Sequence, residues 1–483
     1  MSLRKSLAIV AISRYAEISL GLLSTVILAR LLTPNDFGIY SIAASVAAIG
    51  HLFRNFGVGQ FIIQVEELSS EVMRAAFAVT LAISWGIGAL LIAVAPLLGR
   101  IYDDDGVSNV MMFLSINFFL LPFGAITEAV LRRAMAFTPL AITQIAGAAT
   151  GLIVGVTSAW WGAQYMAIAW AANASTLVTI ILILCFRPPS LPWKPGIKKI
   201  RQVFVFGLKV GGLDLINQGS NSFTELLIGK AHGLRDLGIY SRAFGTFSLF
   251  EYAFVEAIRP IVLPYLSDAK RNQTALGPIY LKICSFITVC LLPFFVFLFI
   301  SAADVIQVLY GTQWAEAIPV LKVLCIAGLF LGPTVFFDQL LIAHGRPGLA
   351  FRYQLTFQTF RLVALVALIG GDLVMAAIAF VASTPIKLAL TLSLAWTQFD
   401  LPFQRIFKAV LPSLILALAV AIIAFATSNG LEQWDNALAR LTVESFCVAA
   451  IWLLMLVLLK HPLAQEIGKL SNKLLRRSQP TVD

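Results

Sequence analysis

The sequence predicts an all-α polytopic membrane protein with about fourteen transmembrane helices, and three observations carry that expectation. Hydrophobic residues make up 59% of the 483-residue chain and charged residues only 12%. A soluble protein of this length carries roughly twice that charge. Apolar stretches of about 20 residues, the length a helix needs to cross a bilayer, follow one another with little between them. With no water in the hydrocarbon core, each stretch has to satisfy its own backbone, and a helix does so.

The elements follow in order. Span 1, at 7–32, follows MSLRKS; no small-x-small site closes the apolar run, so it reads as a spanning helix rather than a cleaved leader. Further spans are expected at 37–63, 75–99, 109–131, 140–162, 164–186, 203–229, 237–263, 279–302, 317–343, 354–370, 373–396, 409–427 and 440–460. Cys185, Cys284, Cys290, Cys325 and Cys447 sit inside apolar stretches without paired spacing, which reads as small core residues rather than disulfides or metal ligands.

Charge orients the spans. With both termini cytoplasmic, 21 of the 35 Lys and Arg residues fall on the inner side and about five on the outer side, as the positive-inside rule requires. The net charge of +10 is spread over these loops and the tail, where it sets orientation and meets anionic headgroups rather than nucleic acid. Asp103, Asp104 and Asp105 make a solvated outer turn.

DFGIYS at 36–41 returns as DLGIYS at 236–241, and Ala29-Arg30 pairs with Gly229-Lys230 at the same offset. The proline-rich, basic stretch RPPSLPWKPGIKKIRQ (187–202) separates the two copies. Each half therefore starts from the cytoplasm, which makes spans 1–6 and 7–12 parallel repeats. The domains follow: an N-terminal lobe at 1–186, a basic cytoplasmic linker at 187–202 and a C-terminal lobe at 203–396. Spans 13 and 14, at 397–460, are appended, and a basic cytoplasmic tail occupies 461–483. Weaker likeness continues where Ile101-Tyr102 and Leu309-Tyr310 close spans 3 and 9, and where Pro122 and Pro333 interrupt spans 4 and 10. In the motif, Asp36 and Asp236 are placed to cap a helix N-terminus and the glycines to admit a neighbouring helix. The tyrosines suit a membrane interface. The corner reads as structural, with a gate on the outer face as the alternative.

At ARLLTPNDFGIYSIA (29–43) and FRNFGVGQFIIQ (53–64) the sequence resembles the polysaccharide-transporter branch of the multidrug/oligosaccharidyl-lipid/polysaccharide exporter superfamily, and within it the Wzx-type flippases. The likeness covers spans 1–12 and is strongest over the first two. It implies two six-helix lobes facing each other across a central cavity, in a bacterial inner membrane. It further implies movement of undecaprenyl-pyrophosphate-linked oligosaccharide repeat units between leaflets, alongside a polysaccharide polymerase and a chain-length regulator.

Ionisable residues inside spans are costly and face a cavity or a partner. In span 7, Asp214, Asn217, Asn221 and Glu225 form one polar stripe; span 11 carries Gln354, Gln358 and Arg361; span 1 places Arg14 and Glu17 one turn apart. With Arg54 in span 2 and Arg259 in span 8, these point to an aqueous cavity shared between the lobes. Arg14, Arg54, Arg259 and Arg361 are the candidates for phosphate, with Asn217, Asn221 and Gln358 lining the site. Glu17, Asp214 and Glu225 are candidates to bind H⁺ or Na⁺ if export is coupled to ion entry. Two of these groups have blander readings: Arg14 and Glu17 as a neutralised pair, and Gly147, Gly151 and Gly155 as a packing face. No Walker A loop, metal-ligand cluster or nucleophile–base pair is present, so the chain is expected not to be an enzyme and to need no cofactor. Two rivals remain: a cation-coupled drug exporter of the same superfamily, and a membrane enzyme of envelope glycan assembly.

Overall fold

The computed structural model describes residues 3–54, 57–189, 191–204, 212–249 and 251–464. Every regular element among them is helical. Eleven of these segments are long and apolar enough to cross a membrane. The expected spans at 203–229, 237–263 and 354–370 miss that mark. Two of them hold the polar stripes singled out above, and the start of 203–229 lies partly outside the described residues.

By contacts the chain gathers into two compact units, Met1–Arg242 with Leu365–Ala376, and Ala243–Ala364 with Ala377–Asp483. In the first unit α1 (Leu3–Leu31) lies along α6 (Phe137–Trp160), which pairs with α7 (Met166–Cys185). α4 (Ser70–Tyr102) and α5 (Asp105–Arg133) make an antiparallel hairpin. The aspartate run is its hinge: Asp103 takes a left-handed conformation to end α4, and the Asp104 carboxylate accepts the Gly106 N–H at 2.6 Å to start α5. Gly147, Gly151 and Gly155 of α6 abut Ser175, Ala171 and Ala167 of α7, the packing their small-xxx-small spacing predicts.

Several local expectations need correction. Span 2 is two elements, α2 (Pro34–Arg54) and α3 (Val58–Gln64), separated at Gly57, which holds φ +59°. α2 also begins earlier than expected, so Asp36 stands inside the first turn. Its carboxylate accepts the Thr33 N–H at 2.9 Å while the Thr33 hydroxyl accepts the Asp36 N–H at 3.2 Å, a reciprocal capping box. Pro122 does not interrupt α5, whereas Pro333 sits in a 3₁₀ turn (Gly332–Thr334) that divides span 10. Tyr240 is buried.

The linker is not a loose tether. Leu191 and Val203 are buried with Phe61 and Val72 in one apolar cluster, the Gly196 N–H bonds the Arg74 carbonyl at 3.1 Å, and Lys198 pairs with Glu71 at 3.1 Å. Arg187 donates to the Leu191 and Pro192 carbonyls and stacks 3.7 Å over Trp193. The linker's own apolar residues hold it on the end of α4.

The remaining helices are α8 (Gly212–His232), α9 (Leu234–Phe247), α10 (Glu256–Arg271), α11 (Leu276–Ile300), α12 (Ala302–Leu309), α13 (Ala317–Leu331), α14 (Phe337–Ala343), α15 (Pro347–Leu368), α16 (Leu373–Phe399), α17 (Phe403–Gly430) and α18 (Ala437–Leu458). A π-helical turn, Glu251–Val255, precedes α10, so span 8 is broken. Span 9 is one helix, α11, which ends at Ser301 where the short α12 begins. α17 and α18 dock on α11 through Val289, Leu416, Val420 and Leu456, and the Trp452 indole donates to the Val289 carbonyl at 2.9 Å. The tail from residue 465 lies outside the described residues.

Candidate functional site

The two copies of the repeat meet in the first unit. A Cβ on Gly38 would fall on the Leu234 carbonyl, and a Cβ on Gly238 would fall on the Pro34 carbonyl. Both partners carry the same offset of 200, so the contact is reciprocal. One turn further on, the Ser41 and Ser241 hydroxyls bond at 3.2 Å. Only glycine lets α2 and α9 cross backbone against backbone in this way. The Arg242 guanidinium sits 4.4 Å from the Phe37 ring centre, and the Lys230 ammonium donates to the Ile101 carbonyl at 2.6 Å.

At the other end of α2 the same unit opens into a cavity of about 650 Å³. Arg54 ends α2 in its wall. α3 contributes Val58, Gln60 and Ile63; α5 contributes Glu128 and Arg132; Ser175, Thr176 and Thr179 come from α7. Arg132 donates twice to Glu128, at 2.7 and 3.1 Å, and Glu128 also acts electrostatically on Arg54. His51, one turn before Arg54, stacks on Phe118 at 4.4 Å between centroids. Arg133, next to Arg132, points the other way: it donates to the Ile62, Val65 and Glu66 carbonyls and thereby fixes the end of α3. The cavity thus has apolar walls, two guanidinium groups, one carboxylate and a row of hydroxyls. That set can hold an anionic group bearing several hydroxyls.

The second unit has its own polar cluster. Gln354, Gln358 and Arg361 lie buried along one face of α15. Arg361 donates to Gln358 at 3.3 Å and stands 5.2 Å from the Phe380 ring centre. The Lys387 ammonium lies 4.7 Å from the Phe357 ring centre. Arg259 pairs with Glu256 at 2.7 Å and approaches Glu251 at 3.8 Å.

The expected site residues therefore separate. Arg54 lines the cavity. Arg14 and Glu17 pair with each other at 3.1 Å, and both are part-exposed. Arg259 is held by carboxylates and Arg361 by its own helix face. On α8, Glu225 accepts a bond from Ser45, while Asn217 and Asn221 lie half-buried on the same helix. The Asp214 side chain lies outside the described residues. Sequence reasoning missed Arg132 as a site residue, because a basic residue at a span's end reads as an orientation signal. Its i, i+4 spacing from Glu128 was the available clue. Lys387 was visible as an in-span charge, but nothing local tied it to α15.

The family model described as polysaccharide biosynthesis protein matches residues 27–319, well over half of the chain. Among curated relatives, the lipopolysaccharide biosynthesis protein WzxC of Escherichia coli is 21% identical over 474 residues, covering 95% of this chain and 94% of that one. The succinoglycan biosynthesis transport protein ExoT of Rhizobium meliloti is 21% identical, covering 97% and 95%. Among solved structures, the lipid II flippase MurJ in its inward closed conformation superposes with a TM-score of 0.75 at 13% identity, over 94% of this chain and 98% of that one. An inward-facing multidrug transporter of the MATE family gives 0.60 at 13% identity, over 81% and 98%.

Proposed function

The chain belongs to the polysaccharide biosynthesis protein family, and on that premise we propose that it is a flippase carrying undecaprenyl-pyrophosphate-linked oligosaccharide repeat units across a bacterial inner membrane. The observation that carries the reading is the cavity beside Arg54. Arg54 and Arg132 supply guanidinium groups for the pyrophosphate, and Gln60, Ser175, Thr176 and Thr179 supply the hydrogen bonds a sugar needs. The lipid tail stays in the bilayer while the headgroup crosses.

Transport proceeds by alternating access between a 1–186 lobe and a 203–396 lobe, both termini being cytoplasmic. The glycine crossing between α2 and α9 is the contact that parts when the outer side opens. An anion leaving a negative interior gains about 2.3 kcal/mol per charge per 100 mV, so two charges contribute ~4–5 kcal/mol. Coupling to H⁺ or Na⁺ through Glu17, Asp214 or Glu225 adds to that drive.

The test is the lipid-linked oligosaccharide pool of a strain lacking the protein, measured by mass spectrometry of extracted lipids. Complete undecaprenyl-linked units should accumulate while surface polysaccharide disappears, and Arg54→Ala should fail to restore export. An unchanged pool with unchanged surface glycan would overturn the reading in favour of drug export, which the fold it shares with multidrug transporters also accommodates.

A further inference from the structure

A second ionisable site lies in the other unit, where α12 packs against α18. Glu444 is two turns into α18, about 10 Å along the helix from its start, and it is fully buried. Its Oε2 accepts the Ser301 hydroxyl at 2.7 Å, and its Oε1 has no hydrogen-bond partner among the described residues. Next to it, Asp304 of α12 is engaged at both oxygens by Arg440 of α18, Nε to Oδ2 at 3.1 Å and Nη2 to Oδ1. The remaining Arg440 amine donates to the Trp434 carbonyl.

Two carboxylates therefore share one guanidinium, and Asp304 has it. Asp304 and Arg440 are the charged groups that act on Glu444, with Asp435 acting on Arg440 from the preceding loop. The facing end of α17 (417–430) and the near end of α11 (291–300) contain no ionisable side chain. A full negative charge buried here would face only a guanidinium already bound to Asp304 and would lack a full set of donors, a state proteins avoid by neutralising the group.

We propose that Glu444 is a proton-binding residue that carries one exchangeable proton while α18 is docked on α12. The geometry favours a proton over a metal ion. A hard cation is held by several oxygens, and Arg440 has already taken both of Asp304, leaving Oε1 almost alone. The proton also decides where Arg440 goes. Arg440 and Glu444 are four residues apart on one helix face, so an ionised Glu444 competes with Asp304 for the guanidinium. Release of the proton thus loosens the ion pair that ties α18 to α12, and rebinding restores it. The site shares no residue with the cavity beside Arg54.

Infrared difference spectroscopy on the full-length protein in lipid nanodiscs, wild type against Glu444→Gln, tests this directly. At neutral pH the wild type should show a protonated-carboxyl carbonyl band that shifts in D₂O, is the same in Na⁺ and K⁺, and is lost in the variant. Ser301→Ala gives a second reading, since removing its hydrogen bond should move that band to higher frequency. Absence of the band in the wild type, a band unmoved by Ser301→Ala, or a band that appears only when Na⁺ is withdrawn would each overturn the proposal.

Discussion

The two copies of the repeat enter their corner differently and leave it differently. The first copy starts from Thr33, which caps α2 in a reciprocal bond with Asp36. In the second copy the equivalent residue is Gly233, and the chain turns by taking φ +87°. Both then bring a glycine onto the other's backbone. Beyond the corner α2 runs unbroken to Arg54 and the cavity, whereas α9 ends at Phe247 and gives way to a π turn and a paired Arg259. The contact was retained in both halves, while the entry turn and the charge beyond it were free to diverge. Reciprocity constrains only the residues that touch.

The comparison breaks most severely at the glycines. Gly38→Leu and Gly238→Leu should each abolish most folded protein, because the side chain meets a carbonyl that cannot rotate away; ordinary overpacking already costs about 1–3 kcal/mol. Size-exclusion profiles of detergent extracts would check it, and a normal profile for one of the two would show that the contact is not reciprocal. Next in size, a Ser41→Cys, Ser241→Cys double variant should form a disulfide without reductant, given hydroxyls 3.2 Å apart. Transport should then stop and return on reduction. Continued transport with the bond formed would mean the corner never opens.

The arginines sharpen the downstream half of the comparison. Arg54→Ala and Arg132→Ala should each lower transport by roughly 10- to 100-fold, the loss of one or two charge-assisted bonds. Arg14→Ala breaks a part-exposed pair and should change stability by only about 0–1 kcal/mol, with transport little altered. Export assays in the deletion strain, normalised to protein level, separate these outcomes. Smaller still are the entry turns: Thr33→Ala removes a cap worth ~1 kcal/mol, and Gly233→Ala, forced into a left-handed backbone, should cost about as much.

The smallest effect concerns pH. His461 is buried, its Nδ1 accepts the Leu463 N–H at 3.2 Å, and its Nε2 is 2.7 Å from the Ser285 hydroxyl. Burial pushes this imidazole below its ordinary value of 6.5. The unfolded chain therefore binds the proton first, so the stability contributed by the neutral ring is complete above 6.5 and is lost as pH falls below it. Thermal melts in neutral and mildly acidic buffer should show that loss, and His461→Gln should reduce it.

Much of the fold was legible in the sequence. Most of the spans, the aspartate turn at 103–105, the α6 glycine face and the repeat could be read from local pattern. The breaks were harder. Gly57 and the π turn at Glu251 fall inside expected spans, beside Arg54, Asn55 and Glu256, polar residues that read equally well as lining a cavity. The site was legible only in part: Arg54 could be picked out as a charge inside a span, but Arg132 looked like an ordinary loop cation.

Hydropathy by itself determined that this chain spans a membrane as helices, because its apolar runs have the ~20-residue length of a helix and the bilayer makes each satisfy its own backbone. The repeat by itself announced that two segments share an environment. Only the tertiary structure decided that they share it with each other, glycine on carbonyl. It also decided that Arg440 neutralises Asp304 and not Glu444, whereas the pairs of Arg14 with Glu17 and Arg259 with Glu256 are one helical turn apart and open to sequence reading. A charge's role depends on the nearest opposite charge in space, and for Asp304 that neighbour is 136 residues away along the chain.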